Sequence, residues 1–180
     1  RKYNFDPLLH MGLLRVESGY RQDAIGYIYK YKKDPKNPKK FLLDKNGKKI
    51  LDKKIAAGKG IAQFIDGTAK RYGVKQFDVD SSIDGSIRLL LDLKKETEKA
   101  FRRNKNLDYD KLSEAQKYRL MLYGYHGGVW SSIRNSKTNE EVFRRREAFY
   151  ERRQGARYRK NGWKSGDYSL VVFEAAEKIG

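Results

Sequence analysis

Cysteine is absent from this chain of 180 residues, and histidine occurs only twice, as His10 and His126. The lack of cysteine excludes disulfides, thiol nucleophiles and cysteine metal sites. Two histidines are too few for a histidine-rich metal centre. No apolar stretch is long enough to span a bilayer, and no signal-peptide pattern is visible. We therefore expect no metal, no cofactor and no transmembrane segment; because the chain begins at Arg1, the missing leader says little about export.

Acidic residues are the minority among the charged side chains. Lysine and arginine number 41 against 23 aspartates and glutamates, which gives a net charge of +18 at pH 7. A field of this strength attracts polyanions. Nucleic acids, anionic membrane surfaces and the acidic polymers of the bacterial wall all meet this criterion, so charge alone does not choose among them.

A basic stripe runs from Arg144 to Lys160, with Phe149, Tyr150 and Tyr158 interleaved. This composition fits a nucleic-acid-binding surface, and it fits equally the solvated face of a helix. No zinc-ligand, P-loop or RNA-binding motif accompanies the stripe. A non-enzymatic module that binds nucleic acid or cell wall is therefore our second class of hypothesis.

Length and patterning predict one mainly helical domain over residues 1–180. The chain is long enough for a substantial core, and no proline- or serine-rich linker divides it. Helical periodicity follows Ser82, and capping-box patterns begin at Ser113 and Thr138. Asp167 begins a final predicted helix.

Residues 27–57 interrupt the helical pattern. Tyr27, Ile28, Tyr29 and Tyr31 favour a strand, and residues 41–51 have the pattern of a hairpin with an Asn-Gly turn. Between them lies a run rich in lysine and proline. We expect a small basic β-hairpin insertion, which either grips an anionic glycan or its peptide stem or is a solubilising excursion on the surface.

Glu17 closes an apolar helical run that starts at Asp6-Pro7, a good N-cap and first helical residue, and stops at Gly19. A carboxylate in the last turn lies at the negative end of the helix dipole, and apolar neighbours disfavour its charged form, so a raised pKa is predicted. A glutamic acid protonated near neutral pH can give a proton to the leaving oxygen of a glycosidic bond. The alternative is an ordinary solvated residue at a helix end.

Two later blocks extend this motif. Gly58–Phe64 leads into Asp66–Val74, and Tyr123–Gly128 follows a predicted helix. Together with Glu17–Tyr20, and in this order, they resemble the lysozyme-like catalytic domain of soluble lytic transglycosylases and goose-type lysozymes. That family has a Glu-Ser-Gly-aromatic element, a Gly-Leu-Met-Gln-like element before a Thr-Ala-x-x-Tyr-Gly-Val-like helix, and an Ala-Tyr-Asn element. The resemblance covers roughly residues 5–135 and implies an α+β lysozyme-like fold.

The resemblance implies a role for each matching residue. Glu17 matches the general acid and base, and Ser18 the serine that helps to hold the site and the sugar. Gln63 matches the glutamine that contacts substrate, and Tyr125 the tyrosine whose hydroxyl bonds the catalytic carboxyl. Gly60 would then let the backbone come close to the glycan.

The chain also departs from the family pattern. Ile61-Ala62 stand where the family often has Leu-Met, Gly124 replaces an alanine, and His126 replaces an asparagine. His126 either alters the hydrogen bonds near the sugar or is an exposed loop residue. Tyr168 loosely matches a tyrosine of the family's C-terminal helix and is a further candidate for substrate binding.

The number of carboxylates separates two reactions. A hydrolase needs a second carboxylate, and Asp23 and Asp66 lie near the motifs without occupying a marked position. A lytic transglycosylase, as the resemblance implies, uses one Glu to protonate the bond between N-acetylmuramic acid (MurNAc) and N-acetylglucosamine (GlcNAc). The same Glu then deprotonates the sugar's 6-hydroxyl, which leaves a 1,6-anhydromuramoyl end. We expect this lyase, with a goose-type muramidase as the alternative, acting on peptidoglycan strands in the periplasm or cell wall or as part of a phage virion.

Overall fold

The computed structural model describes residue 3 and residues 5–180, and it is mainly helical with a small antiparallel β element. The helices are α1 (Pro7–Ser18), α2 (Asp66–Tyr72), α3 (Val79–Arg103), α4 (Glu114–Gly127), α5 (Trp130–Asn135), α6 (Asn139–Tyr150), α7 (Ala156–Lys160) and α8 (Tyr168–Glu177). The strands are β1 (Ile25–Tyr31), β2 (Lys33–Asp34), β3 (Asn37–Phe41) and β4 (Leu51–Lys59), and a π-helical turn (Glu151–Gly155) joins α6 to α7. The prediction of a mainly helical protein with a β insertion is confirmed. The narrower lysozyme-like assignment and the single domain over 1–180 stay predictions.

Helix α1 packs against α8, the last helix of the chain. The Asp6 side chain accepts hydrogen bonds from the first N–H groups of α1, and Gly19 ends the helix at a φ of +62°, as predicted. Gly12 lets the two helices approach closely, since a Cβ there would lie 2.6 Å from the carbonyl oxygen of Val172. This crossing brings the end of α1 beside the beginning of α8.

Strands β1 and β4 form an antiparallel pair in which Ile28 lies opposite Ile55 and Tyr29 opposite Lys54. The short strands β2 and β3 form a second hairpin between them. The β insertion therefore spans residues 25–59, slightly more than the predicted 27–57.

The predicted hairpin over residues 41–51 is present, with an antiparallel bridge between Leu43 and Lys49 and backbone hydrogen bonds from Asp44 N–H to the Lys48 carbonyl and from Ile50 N–H to the Leu42 carbonyl. The Asn-Gly turn is present, with Gly47 at a φ of +74°. The Asp44 side chain accepts hydrogen bonds from the N–H groups of Asn46 and Lys48. These side-chain bonds hold the turn, and the two arms pair from Leu42 to Ile50.

Three of the four predicted helix starts are observed, and the remaining helix starts earlier than predicted. Ser113 forms its capping box, and Thr138 and Asp167 cap α6 and α8. Helix α3 begins three residues before Ser82, because the Asp78 side chain caps it there. Among the described residues, every helix is too short or too polar to cross a membrane.

Two clusters of buried apolar side chains support the fold. The larger one lies between α1, α3, α4, α5, α6 and α8 and includes Leu13, Leu90, Phe101, Leu120, Met121, Ile133, Val142 and Val171. The smaller one joins α1 and α2 to the loop that follows β4, and it consists of Leu14, Ile61, Ala62, Phe64 and Ala69. The smaller cluster anchors the loop that carries Gln63.

Candidate active site

A cleft of about 510 Å³ opens beside the end of α1. Elements distant in sequence meet around it: α1, β1, the loop after β4, the end of α4, the π-helical turn, α7 and the start of α8. Its walls are formed by Val16, Glu17, Ile25, Gly26, Tyr27, Tyr29, Gln63, His126, Gln154, Arg157, Tyr158 and Tyr168. The structure thus brings Glu17, Gln63, His126 and Tyr168 together, as a shared site requires.

The Glu17 carboxyl is half-buried in the wall of this cleft. Burial raises its pKa to about 7, against the opposing effects of a hydrogen bond from Tyr168 and the positive charge of Arg157. A carboxyl with this pKa is present in both protonation states near neutral pH. It is therefore suited to give a proton in one step and to take one in the next.

The hydroxyl that bonds Glu17 belongs to Tyr168, which donates to Glu17 Oε1. The Tyr125 hydroxyl instead donates to the carbonyl oxygen of Ala62, at 2.6 Å. The expected bond from Tyr125 to the catalytic carboxyl is thus wrong, because Tyr125 projects from α4 onto the loop after β4, while Tyr168 stands in the first turn of α8 beside the end of α1. Burial and the charge of Glu17 raise the pKa values of both phenols, so both remain proton donors.

Gln63 has a φ of +51°, an unusual backbone conformation for a residue other than glycine. Its side chain holds the loop in place, since Nε2 donates to the carbonyl oxygens of Ala24 at 3.1 Å and Gly60 at 2.8 Å. A Cβ at Gly26 or Gly58 would lie only 2.6 or 2.8 Å from Gln63 Oε1, so both glycines make room for this amide. Within residues 3 and 5–180, no group donates a hydrogen bond to Oε1, which leaves it available to a ligand.

Gly60 and Ser18 lie outside the cleft. Gly60 has a φ of +75°, and a Cβ there would collide with the carbonyl oxygen of Gln76 at 1.6 Å. The expectation that Gly60 admits a glycan is wrong, since the close approach is to the chain's own backbone. Ser18 is buried, and its hydroxyl donates to the carbonyl of Leu14 at 3.1 Å. Ser18 thus holds the end of α1 and has no access to a sugar.

His126 lies in the last turn of α4, half-buried among aromatic rings. Its ring centroid is 4.2 Å from that of Tyr168 and 5.4 Å from that of Tyr150. Burial, with the charges of Arg146 and Arg157, lowers its pKa to about 4. The exposed-loop alternative is therefore wrong, and His126 presents a neutral ring at neutral pH.

Several residues of the cleft were not predicted from the sequence. Tyr27 and Tyr29 come from β1, and Gln154, Arg157 and Tyr158 come from the π-helical turn and α7. π-Helical turns often occur at functional sites, and this one follows α6 directly. Arg157 is exposed and has no carboxylate within ion-pair distance among the residues that the structure describes. The charged and aromatic composition of residues 144–160 was the one sequence feature that could have indicated Arg157 and Tyr158 as site residues.

The basic stripe is only partly a surface. Arg146 is buried, with its guanidinium 4.6 Å from the ring centroid of Phe149 and 4.8 Å from that of Tyr150. Arg145 pairs with Glu141 at 2.7 Å. The aromatic residues of the stripe and Arg146 pack into the core, whereas its other basic side chains are exposed: Arg144, Arg145, Arg152, Arg153, Arg157, Arg159 and Lys160.

Neither candidate second carboxylate lines the cleft. Asp66 pairs with Lys59 at 2.7 Å and also accepts from Gln76, and Asp23 is exposed on the loop before β1. Glu17 is the only carboxylate among the described residues that form the cleft wall. No cluster of three histidine, aspartate or glutamate side chains that could hold a metal ion occurs in the described part of the chain.

Comparisons of the chain with protein-family models, with curated proteins and with solved structures gave no match.

Proposed function

We propose that this chain is a peptidoglycan lytic transglycosylase that breaks the MurNAc–GlcNAc bond with Glu17 as its acid and base. The observation that carries the proposal is a half-buried carboxyl with a pKa of about 7, held by a tyrosine hydroxyl in an open cleft. Its substrate would be the glycan strands of the bacterial wall. The protein would then act in the periplasm or cell wall, or from a phage virion.

In the first step, protonated Glu17 gives its proton to the bridging oxygen as the bond from that oxygen to C1 of MurNAc breaks. The carboxylate left behind accepts the Tyr168 hydrogen bond and lies near the Arg157 charge, and both interactions favour its ionised form. Burial opposes ionisation, so the two effects together keep the pKa near neutrality.

In the second step, the Glu17 carboxylate takes the proton of the MurNAc 6-hydroxyl while that oxygen bonds to C1. The product is a 1,6-anhydro sugar, and no water is consumed. Because Glu17 has no second carboxylate facing it across the cleft, a water-activating base or a carboxylate nucleophile is missing from the described wall. This favours the lyase over the muramidase.

Two uncharged side chains and one arginine supply the remaining polar contacts. The free Gln63 Oε1 suits an acetamido N–H or a sugar hydroxyl, and the neutral ring of His126 lies beside Tyr168. Arg157 offers a positive charge to a carboxylate of the muramic acid or of its peptide stem. A neutral sugar backbone with occasional carboxylates matches this combination.

The test is digestion of purified peptidoglycan in water enriched in heavy oxygen, followed by mass spectrometry of the released fragments. We expect 1,6-anhydromuramoyl ends without the label. Reducing muramic ends that carry the label would identify a muramidase instead. Binding of the wall with no release of fragments would replace the enzyme by a wall-binding module.

A variant pair assigns the activity to Glu17. Glu17→Gln preserves the shape of the side chain but cannot donate the required proton, so it should abolish release of fragments. Glu177→Gln, at the exposed end of α8, makes the same chemical change away from the cleft and should leave release unchanged. Equal activity of the two variants would remove Glu17 from its role.

A further inference from the structure

Tyrosines alternate along β1 at positions 27, 29 and 31. The register shift beside Tyr31 places its extra residue in β4, so β1 keeps its alternation and the three rings share one face of the β insertion. All three are exposed, by 43%, 50% and 38% of their surface. Tyr27 and Tyr29 also line the cleft that holds Glu17, whereas Tyr31 lies beyond it. The face is therefore a continuation of the cleft wall.

Lysines lie among these rings. Lys54, opposite Tyr29 on β4, has its ammonium 3.7 Å from the ring centroid of Tyr27 and 5.9 Å from that of Tyr29. Further along, the ammonium of Lys49 is 4.4 Å from the ring centroid of Phe41, which itself packs edge-on against Tyr31. Rings and ammonium groups thus alternate along the face.

The β insertion is also strongly positive. Residues 25–59 contain twelve lysines and three aspartates, a net charge of +9, which is half of the +18 of the whole chain. Exposed aromatic surface with a dense positive charge indicates a binding surface for an anionic ligand that also offers faces for stacking.

We propose that this aromatic and basic face, formed by Tyr27, Tyr29, Tyr31, Phe41, Lys49 and Lys54, binds the peptidoglycan strand where it leaves the cleft. The tyrosine rings pack against the faces of the sugar rings, and the lysines pair with carboxylates of the peptide stems. The inference rests on the proposed function and names the part of the chain that holds a long substrate.

A glycan fits this face better than a nucleic acid because of what the adjoining cleft contains. The cleft presents the free amide oxygen of Gln63, a neutral His126 and a carboxyl whose pKa is raised by burial to about 7. An acceptor oxygen and a carboxyl suit the hydroxyl and acetamido groups of a sugar, because these groups donate hydrogen bonds. The phosphates of a nucleic acid only accept hydrogen bonds, so Gln63 Oε1 cannot bond them.

The experiment measures binding of the full chain to insoluble purified peptidoglycan by co-sedimentation, in the Glu17→Gln background so that no substrate is consumed. Tyr31→Thr removes a ring that lies outside the cleft and keeps a residue that favours strands. Ile28→Thr is the matched control, since Ile28 is 55% exposed on the opposite face of β1. We expect Tyr31→Thr to weaken binding about fivefold, as for the loss of one aromatic contact, and Ile28→Thr to leave it unchanged.

Lys49→Gln tests the charged part of the same face. We expect weaker binding at low salt and a smaller loss of binding as salt rises, because one screened attraction has been removed. Circular dichroism and thermal melting of each variant establish that the sheet is intact before binding is compared.

Equal binding by folded Tyr31→Thr, Ile28→Thr and Lys49→Gln overturns the proposal. Loss of binding to a single-stranded DNA oligonucleotide with unchanged binding to peptidoglycan also overturns it and assigns the face to nucleic acid. A Glu17→Gln protein that still releases fragments would refute the proposed mechanism. The comparison of binding between the variants would still test the face separately. In the active chain, Tyr31→Thr should digest long strands more slowly than Ile28→Thr does.

Discussion

Gly12 of α1 lies against the carbonyl group of Val172 in α8, so closely that a Cβ at residue 12 would come within 2.6 Å of the oxygen. From this crossing point Glu17 is five residues further along α1, and Tyr168 is four residues back along α8. With a rise of about 1.5 Å per residue, Glu17 and Tyr168 lie at similar distances from the crossing point. Both lie on the same side of it because the two helices are antiparallel. The hydrogen bond between Tyr168 and Glu17 thus depends on the packing of a glycine.

We expect Gly12→Ala to destabilise the protein by about 1–3 kcal/mol, because the added methyl overpacks the crossing of α1 and α8. Cleavage of peptidoglycan should fall as well, since the crossing positions Glu17 against Tyr168. Urea unfolding and release of wall fragments are the measurements. Gly67→Ala in α2 is the control, because a Cβ there meets nothing within 4 Å, and a gain of about 0.4–1 kcal/mol is expected. Equal effects at the two glycines would contradict the close crossing.

The ionisation of Glu17 should appear in the pH dependence of stability. Its folded-state pKa of about 7 lies above the ordinary value of 4.5, so the folded state binds the proton more tightly than the unfolded chain does. The corresponding stabilisation is complete below pH 4.5 and is lost as the pH rises to about 7. Glu17→Gln should therefore gain stability relative to the unmodified protein across this window, by an amount on the order of 3 kcal/mol at most, because the cleft admits water.

Urea unfolding at several pH values between 4 and 8 measures this gain. His10 and His126 are present in both proteins, so their own titration cancels in the difference. A difference that stays constant from pH 4.5 to 8 would show that Glu17 titrates as an ordinary surface carboxyl.

The helices and the position of Glu17 could be predicted from the sequence because local patterns determine them. Asp6 and Gly19 set the ends of α1, and the position of Glu17 in its last turn follows from them. The tyrosine partner could not be read in the same way. Tyr125 and Tyr168 both follow plausible motifs, and only the packing of α4 and α8 decides that Tyr168 reaches the carboxyl.

The other features missed in the sequence depend on contacts between distant segments. The motif around Gly60 predicts a glycine that lets a ligand approach the backbone, yet the group that lies close to Gly60 is the backbone of Gln76. Arg157 reaches the cleft through a π-helical turn that no periodicity predicts. The β insertion was predicted from composition. The surroundings of its tyrosines depend on the pairing of β1 with β4, two strands that are far apart in sequence.

The two tyrosines should separate in the pH dependence of cleavage. Cleavage should fall as the pH rises through about 7, since Glu17 loses the proton that it must donate. The Tyr168 hydrogen bond favours the carboxylate, so Tyr168→Phe should raise the pKa of Glu17 and move this fall to higher pH. Tyr125→Phe removes a bond to Ala62 and should lower the rate without moving the fall. Initial rates on peptidoglycan between pH 5 and 9 measure both, and a shift caused by Tyr125→Phe alone would reverse the assignment.

His126 should contribute to stability in a way that reverses with pH. At pH 8 we expect His126→Asn to be less stable than the unmodified protein, because it loses the ring contacts with Tyr168 and Tyr150. The folded-state pKa of about 4 lies below the ordinary 6.5, so the unfolded chain binds the proton first as the pH falls. Protonation of His126 in the unfolded chain therefore lowers the stability of the unmodified protein as the pH falls from 6.5 to 4. His126→Asn has no imidazole at this position and does not lose stability for this reason.

The disadvantage of His126→Asn should accordingly shrink as the pH falls towards 4. Urea unfolding of both proteins at pH 4.5, 6 and 8 measures the gap, and Glu17, which is common to both, cancels to the extent that its surroundings are unchanged. A matched His10→Asn variant gives the comparison for a histidine outside the cleft, since burial lowers the pKa of His10 to about 4 as well. If only the His10 gap narrows with acid, His126 is charged in the folded protein and faces solvent, and its place in the cleft wall would have to be abandoned.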